Sequence, residues 1–276
     1  MLEQMSNIRS RIWNVRGISF LVLLVYIINM YMLTLYDAME LLGGKVNVSL
    51  FPFLLNDSYF HKLFLLLVLL FYADAPFMEK NQMYSVLRIG KQRWNKRNIT
   101  YIFISSFLLV LCAEVLTMIH VLPIGEFSNT WNKVSRTIAL TDIGNSIYFG
   151  LDYTVMKQFS PIELFVYGFL STQAVVMFFG MLMYTVSLCG GRIWAYTVSA
   201  AVLFIPQITF LMMFHSDISY FSPAEWMRCK WWRGEANPAG MDLLYIILAT
   251  GVLLVVLSVI AEWKVQKADW EAKNDK

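Results

Sequence analysis

The sequence predicts an all-α polytopic membrane protein with six transmembrane helices and both termini in the cytoplasm. Hydrophobic residues make up 58% of the 276-residue chain and charged residues 15%, against about 25% charged in a soluble domain. The polar side chains are therefore too few to cover a water-facing surface of this size. A mean hydropathy of +0.56 excludes disordered, collagen-like and coiled-coil classes. The apolar residues are also gathered into runs that fit a hydrocarbon core about 30 Å thick, which takes about 20 residues at 1.5 Å each.

The first element expected is an amphipathic helix over residues 1–16. Leu2, Met5, Ile8, Ile12 and Trp13 recur at helical spacing with Arg9 and Arg11 flanking them, which suits a helix lying along the membrane face. The first span follows at 17–36. Its apolar stretch is too long for a signal peptide and no small-residue cleavage site comes after it, so it is retained. The second span covers 58–77, with a strictly apolar run only from Leu63 to Ala73. Tyr59 and Phe60 sit at its interface and Lys62 snorkels. Spans three to six cover 100–120, 161–189, 193–214 and 241–263. Loops at 37–57, 121–160 and 215–240 join them on one side, the last carrying the aromatic and basic run Pro223 to Arg233. That run suits an interfacial helix anchored by tryptophan, or a contact with substrate leaving the membrane.

Lys and Arg set the orientation. One side collects 14 of them: Arg9, Arg11, Arg16, the cluster from Lys80 to Arg97, Arg192 and the tail lysines; the other collects 8 over longer loops. The richer side is cytoplasmic. The net charge of +3 with pI about 8.6 comes with no basic domain of the kind that binds nucleic acid. Two sequons, Asn47-Val-Ser49 and Asn56-Asp-Ser58, then face outside, where a eukaryotic host has access to them.

The chain shows no sign of catalysis. It has no G-x-x-x-x-G-K-[ST] loop for ATP, no G-x-S-x-G elbow and no H-E-x-x-H pair. His61, His120 and His215 lie near outer membrane boundaries without metal-ligand spacing. Cys112, Cys189 and Cys229 fit neither a disulfide scaffold nor a zinc site, and are expected to be structural.

Three features point instead to a pathway or a partner. Glu114 lies well inside the third span, where a charge is costly. It either lines a translocation path or accepts hydrogen bonds from a neighbouring helix, with Thr172 and Gln173 as candidate donors. Pro206 removes a backbone donor inside the fifth span and should kink it, with Gln207 placed to satisfy the disturbed backbone. On the cytoplasmic side, Asp74 can cap a new helix with Pro76 in its first turn. Met83, Leu87 and Trp94 then share one face, Arg88, Lys91 and Lys96 point elsewhere, and Gly90 ends or bends the helix. Such a helix either meets anionic lipid or docks a cytoplasmic partner.

These residues resemble the permease subunits of bacterial ABC-2 type transporters, a family of half-transporters with a type V exporter-like fold. The likeness covers the amphipathic N-terminus, six spans with both ends inside, the basic loop between spans two and three, the turn Gly190-Gly191-Arg192 and the long outer segment between spans five and six. Asp74-Ala-Pro-Phe77 followed by Leu87-Arg-Ile-Gly-Lys-Gln-Arg-Trp94 is similar to the coupling-helix segment of Firmicute-type members. The loop 121–160 departs from the pattern by being longer than many members have.

The resemblance implies one permease domain over 1–276, with the coupling-helix loop at 75–99 and no nucleotide site or cofactor of its own. ATP and Mg would be held by a separate ATP-binding subunit docked on Met83, Leu87, Arg88 and Trp94. A second permease subunit, identical or different, would complete the pathway in a bacterial plasma membrane and export a lipid, peptide or drug-like amphiphile. The rival expectation is an accessory or immunity-type membrane protein that binds a toxin or sensor through its outer loops and needs no ATPase.

Overall fold

The computed structural model describes residues 14–77, 86, 88–141, 150–211, 218–233 and 240–267. The protein is mostly helical, and its elements divide into a bundle of long apolar helices and a cap of short ones at one end.

Helix α1, Val15–Leu42, starts where the Asn14 side chain accepts hydrogen bonds from the Arg16 and Gly17 amides at 2.9 and 3.0 Å. Its buried residues Phe20, Leu24, Ile28, Met32 and Leu35 repeat every three or four positions, while Val22, Tyr26 and Leu33 on the other side stay exposed. A helix apolar on both its packed and its open face belongs in lipid, because lipid leaves no need for a polar outer stripe. The helix α4, Lys91–Val121, begins at Gly90, whose φ of +88° suits a residue without a Cβ. It starts earlier than the apolar run alone indicates, so its basic first turns and the apolar span form one rigid rod.

Helix α7, Pro161–Gly190, opens on a capping box between Ser160 and Glu163 with Pro161 in its first turn. It packs chiefly against α10 (Leu243–Lys267), α8 (Arg192–Leu211) and α4. Gly191, at φ +89°, makes the turn into α8, and α8 continues through Pro206 to Leu211. By length and composition α1, α4, α7 and α10 are long and apolar enough to cross a membrane.

The second expected span takes a different form. Its helix α3, Phe60–Phe71, has 12 residues, about 18 Å at 1.5 Å each, and gives way to turns over 72–77. Ahead of it lies the short helix α2, Phe51–Leu54, with Phe51, Pro52, Phe53 and Leu54 all buried. Residues 51–55 were expected in an outer loop. Five consecutive apolar side chains are better accommodated inside the bundle, where Pro52 seats on Gly168 of α7. A Cβ at Gly168 would stand 2.6 Å from the Pro52 ring.

The cap joins segments distant in sequence. Strands β1, Val46–Asn47, and β2, Gly125–Glu126, pair in parallel with Val46 opposite Gly125. Helices α5, Lys133–Leu140, and α6, Tyr153–Gln158, pack together beside them. Helix α9, Ile218–Phe221, and two 3-10 turns at Pro223–Glu225 and Cys229–Trp231 close the cap, with Trp232 bridged to Met241. The described parts of the segments expected as outer loops are thus a folded layer.

Candidate functional site

Two asparagines organise the cap. Asn47 is 1% exposed. Its amide nitrogen donates to the Ser128 and Thr130 carbonyls at 3.3 and 3.0 Å, and its oxygen accepts from the Asn132 amide and the Ser135 hydroxyl at 3.0 and 3.2 Å. Asn56 donates to the Gly150 carbonyl at 3.3 Å and accepts from the Lys230 amide at 3.1 Å. Both sequon asparagines are therefore consumed inside the fold. In the folded chain neither side chain is open for a sugar, which differs from the expectation that a eukaryotic host has access to them.

Beneath them lies an ionic cluster. The Arg228 guanidinium, 4% exposed, donates to Glu225 Oε2 at 2.8 Å, the Asn56 carbonyl at 2.6 Å and Ser58 Oγ at 3.2 Å. Trp231 Nε1 donates to the same Glu225 oxygen at 2.6 Å. His61 Nε2 stands 3.5 Å from Glu225 Oε1 without a hydrogen bond. Burial pushes the Glu225 carboxyl up, but Arg228, His61, Trp231 and Lys230 together pull it further down, leaving it below the usual carboxylate range. Burial and then the Arg228 charge lower the Lys230 ammonium to about 8. Its Nζ lies 4.8 Å from the centroid of the Trp231 ring. Burial pushes the neighbouring Cys229 thiol up to about 12, which keeps it protonated and unreactive at neutral pH.

The cluster reaches into the bundle. Tyr31 of α1 donates to Asp57 Oδ1 at 2.6 Å, and Lys62 of α3 donates to the Gln207 side chain of α8. Gln207, expected to satisfy backbone groups near Pro206, therefore ties α8 to α3. Glu114 is placed elsewhere, in the C-terminal third of α4 and 1% exposed. Neither of its oxygens has a hydrogen-bond partner among the described residues, and Thr172 Oγ1 has none either. Gln173, the other expected donor, bonds Ser106 Oγ at 2.9 Å instead. The sequence reading named the right helices and missed the register by about two turns.

At the opposite end, Arg88 is exposed, whereas Trp94 is 3% exposed and packs against Tyr184 with ring centroids 6.3 Å apart. Phe77 also stacks on Tyr184 at 5.9 Å, and Tyr184 donates to Asn95 Oδ1 at 2.8 Å. Trp94 is thus an anchor inside the bundle rather than part of an open docking face. Met83 and Leu87, the remaining docking residues, lie outside the described residues, as does the amphipathic segment up to residue 13. Asp74, expected as a helix cap, pairs with Arg16 of α1 at 3.1 Å.

Among the described residues no group of three or more His, Cys, Asp or Glu stands close enough to share a metal ion. The ionic cluster and Asn47 were invisible as a site because their members are spread from residue 47 to residue 231. The one signal was the unusual Arg and Glu content of an aromatic outer segment. Together these features define a class: an all-α protein with helices long and apolar enough to cross a membrane, closed at one end by a hydrogen-bonded cap. No family model, curated protein or solved structure matches the chain.

Proposed function

We propose that the chain is the membrane-spanning permease subunit of an ATP-binding cassette exporter. In this reading α3, together with the buried α2, and α8 complete six spans, and both termini are cytoplasmic. ATP and Mg belong to a separate subunit. A second permease, identical or different, supplies the other half of the pathway in a bacterial plasma membrane. The cargo is a lipid, peptide or drug-like amphiphile, and Glu114, Pro206 and Gln207 border its path.

The observation that carries the reading is the basic segment running into α4. Arg88, Arg93 and Lys96 are exposed, while Trp94 and Asn95 of the same turns are clamped on Tyr184 of α7. A partner that pushed on the basic surface would move α4 and α7 as rods, which is what coupling ATP closure to a permease requires. Met83, Leu87 and Arg88 make the docking contact, with Trp94 transmitting it.

A mild-detergent pull-down from the native organism tests this. An ATP-binding subunit is expected at near-stoichiometric yield, reduced by Leu87→Asp. A stable complex without an ATPase overturns the reading.

One observation favours a second reading. The outer segments fold into a cap with a buried ionic cluster, as an accessory or immunity-type protein would need for binding a toxin or sensor outside the cell. Toxin tolerance conferred by the chain alone, in a strain lacking any copurifying ATPase, would select it.

A further inference from the structure

The end of the bundle opposite the cap carries a cationic corner shared by two helices. Helix α10 ends on Lys264 and Lys267, whose ammonium groups stand against one ring, 5.4 and 4.1 Å from the Trp263 centroid. The Lys91 ammonium, from the first turn of α4, donates to the Gln266 carbonyl at 3.3 Å. That bond fills one of the carbonyls a helix leaves open at its C-terminus, and it brings a third cation to the same turn. Neither Lys264 nor Lys267 pairs with an acid among the described residues. Glu262, the described acid nearest to them in sequence, lies a quarter turn or more around the helix from Trp263, Lys264 and Lys267.

The depth of this corner follows from the length of α10. Its charge-free part, Leu243 to Ile260, is about 27 Å long at 1.5 Å per residue, close to the hydrocarbon thickness of about 30 Å. In a bilayer Trp263 then falls at the edge of the hydrocarbon, with the lysines just beyond it among the headgroups. Val252, Val256, Val259 and Trp263 follow one another at spacings of four, three and four, and each is 49% exposed or more. The face of α10 that leads to the lysines is thus apolar and open to lipid.

The geometry points to a site for an anionic phospholipid, its phosphate held by Lys91, Lys264 and Lys267 and an acyl chain lying along Val252, Val256 and Val259. Each ammonium offers the phosphate oxygens a positive charge and up to three donors. A zwitterionic headgroup carries a cation of its own, which three lysines disfavour. Free phosphate has the charge but no chain for the apolar face, so the source of the phosphate is a lipid. By joining Lys91 to the α10 lysines, the lipid fastens the ends of two helices together. The site goes beyond the transporter reading and lies apart from the surface that carries it. Lys91 shares the packed face of α4 with Asn95, whereas Arg93 and Lys96 lie on the other side.

The test uses the full-length chain in a mild detergent without other proteins. It is titrated with phosphatidylglycerol or with phosphatidylcholine of the same acyl chains, and bound lipid is counted by native mass spectrometry. At about fivefold per lysine near an anionic headgroup, phosphatidylglycerol is expected to bind at least about tenfold more tightly than phosphatidylcholine. The pair Lys264→Gln, Lys267→Gln removes about tenfold or more of that affinity and leaves phosphatidylcholine unchanged. The pair Arg93→Gln, Lys96→Gln, which takes the same charge from the same end, alters it by less than about twofold, and millimolar inorganic phosphate does not displace the lipid. If the lysine pair does not fold, the wild-type preference and its decrease in Lys91→Gln decide the matter. Equal binding of the two lipids, affinity untouched by the lysine pair, an equal loss in the Arg93, Lys96 pair, or displacement by inorganic phosphate overturns the inference.

Discussion

Replacing Arg228 with methionine removes the cation but keeps an unbranched side chain of similar reach. The change leaves Glu225, 4% exposed, with Trp231 Nε1 at 2.6 Å and His61 at 3.5 Å but without its 2.8 Å guanidinium. The Asn56 carbonyl and Ser58 hydroxyl lose their donor at the same time. Breaking a buried ion pair by removing one partner costs about 3–5 kcal/mol, because an uncompensated charge stays behind. At about 2 °C per kcal/mol for a chain of this size, Tm falls by roughly 6–10 °C. Thermal unfolding followed by tryptophan fluorescence reads this directly, since Trp226, Trp231 and Trp232 all lie in the cap.

The double variant Glu225→Gln, Arg228→Met removes both charges and is expected to recover most of the loss. The pH dependence has a definite sign. In the wild type the Glu225 carboxyl is held below its ordinary value, so its stabilisation is present above the unfolded carboxylate range and lost as pH falls through the folded value. Without Arg228 the largest downward influence on the carboxyl is gone. The single variant then loses less stability than the wild type as pH falls through the carboxylate range. A Tm change under about 2 °C, or a double variant no better than the single one, would refute the reasoning.

Four further outcomes follow from hydrogen bonding and packing. Asn47→Ala takes the side-chain partner from two carbonyls and an amide in the cap, costing about 3 kcal/mol at roughly 1 kcal/mol for each, measurable by denaturant unfolding. Tyr184→Phe deletes the 2.8 Å bond to buried Asn95 and should cost about 1–2 kcal/mol in the same assay while leaving the ring stack on Phe77 intact. Gly168→Ala forces a Cβ to within 2.6 Å of the rigid Pro52 ring and should destabilise by about 1–3 kcal/mol. Gly251→Ala, with open space around the new methyl group, should instead stabilise α10 by about 0.5–1 kcal/mol.

Much of the bundle was legible because lipid-facing helices are written as long apolar runs, and α1, α4, α7 and α10 follow those runs closely. Their polar boundaries were less legible. Helix α4 begins at Lys91, well before its apolar run, since basic side chains on exposed positions cost a helix nothing once Gly90 has turned the chain. The shape of the second expected span was less legible for the opposite reason: hydropathy records that residues 51–55 and 60–71 are apolar, yet it carries no information on whether a turn separates them. Trp94 illustrates a similar ambiguity, because helical periodicity groups it with an apolar face but does not say whether that face meets a partner or Tyr184 of the same chain.

By itself, then, the sequence determined the class of protein and the course of its long helices, because chain-local hydropathy is enough to decide between water and lipid. The cap, the consumption of Asn47 and Asn56, the pairing of Arg228 with Glu225 and the isolation of Glu114 were decided only by the tertiary structure. Each depends on residues far apart in the chain, Asn56 and Arg228 being 172 positions apart. Hydrogen bonds of about 3 Å depend on where helices cross and in what register, and a one-dimensional pattern of apolar runs leaves that register open.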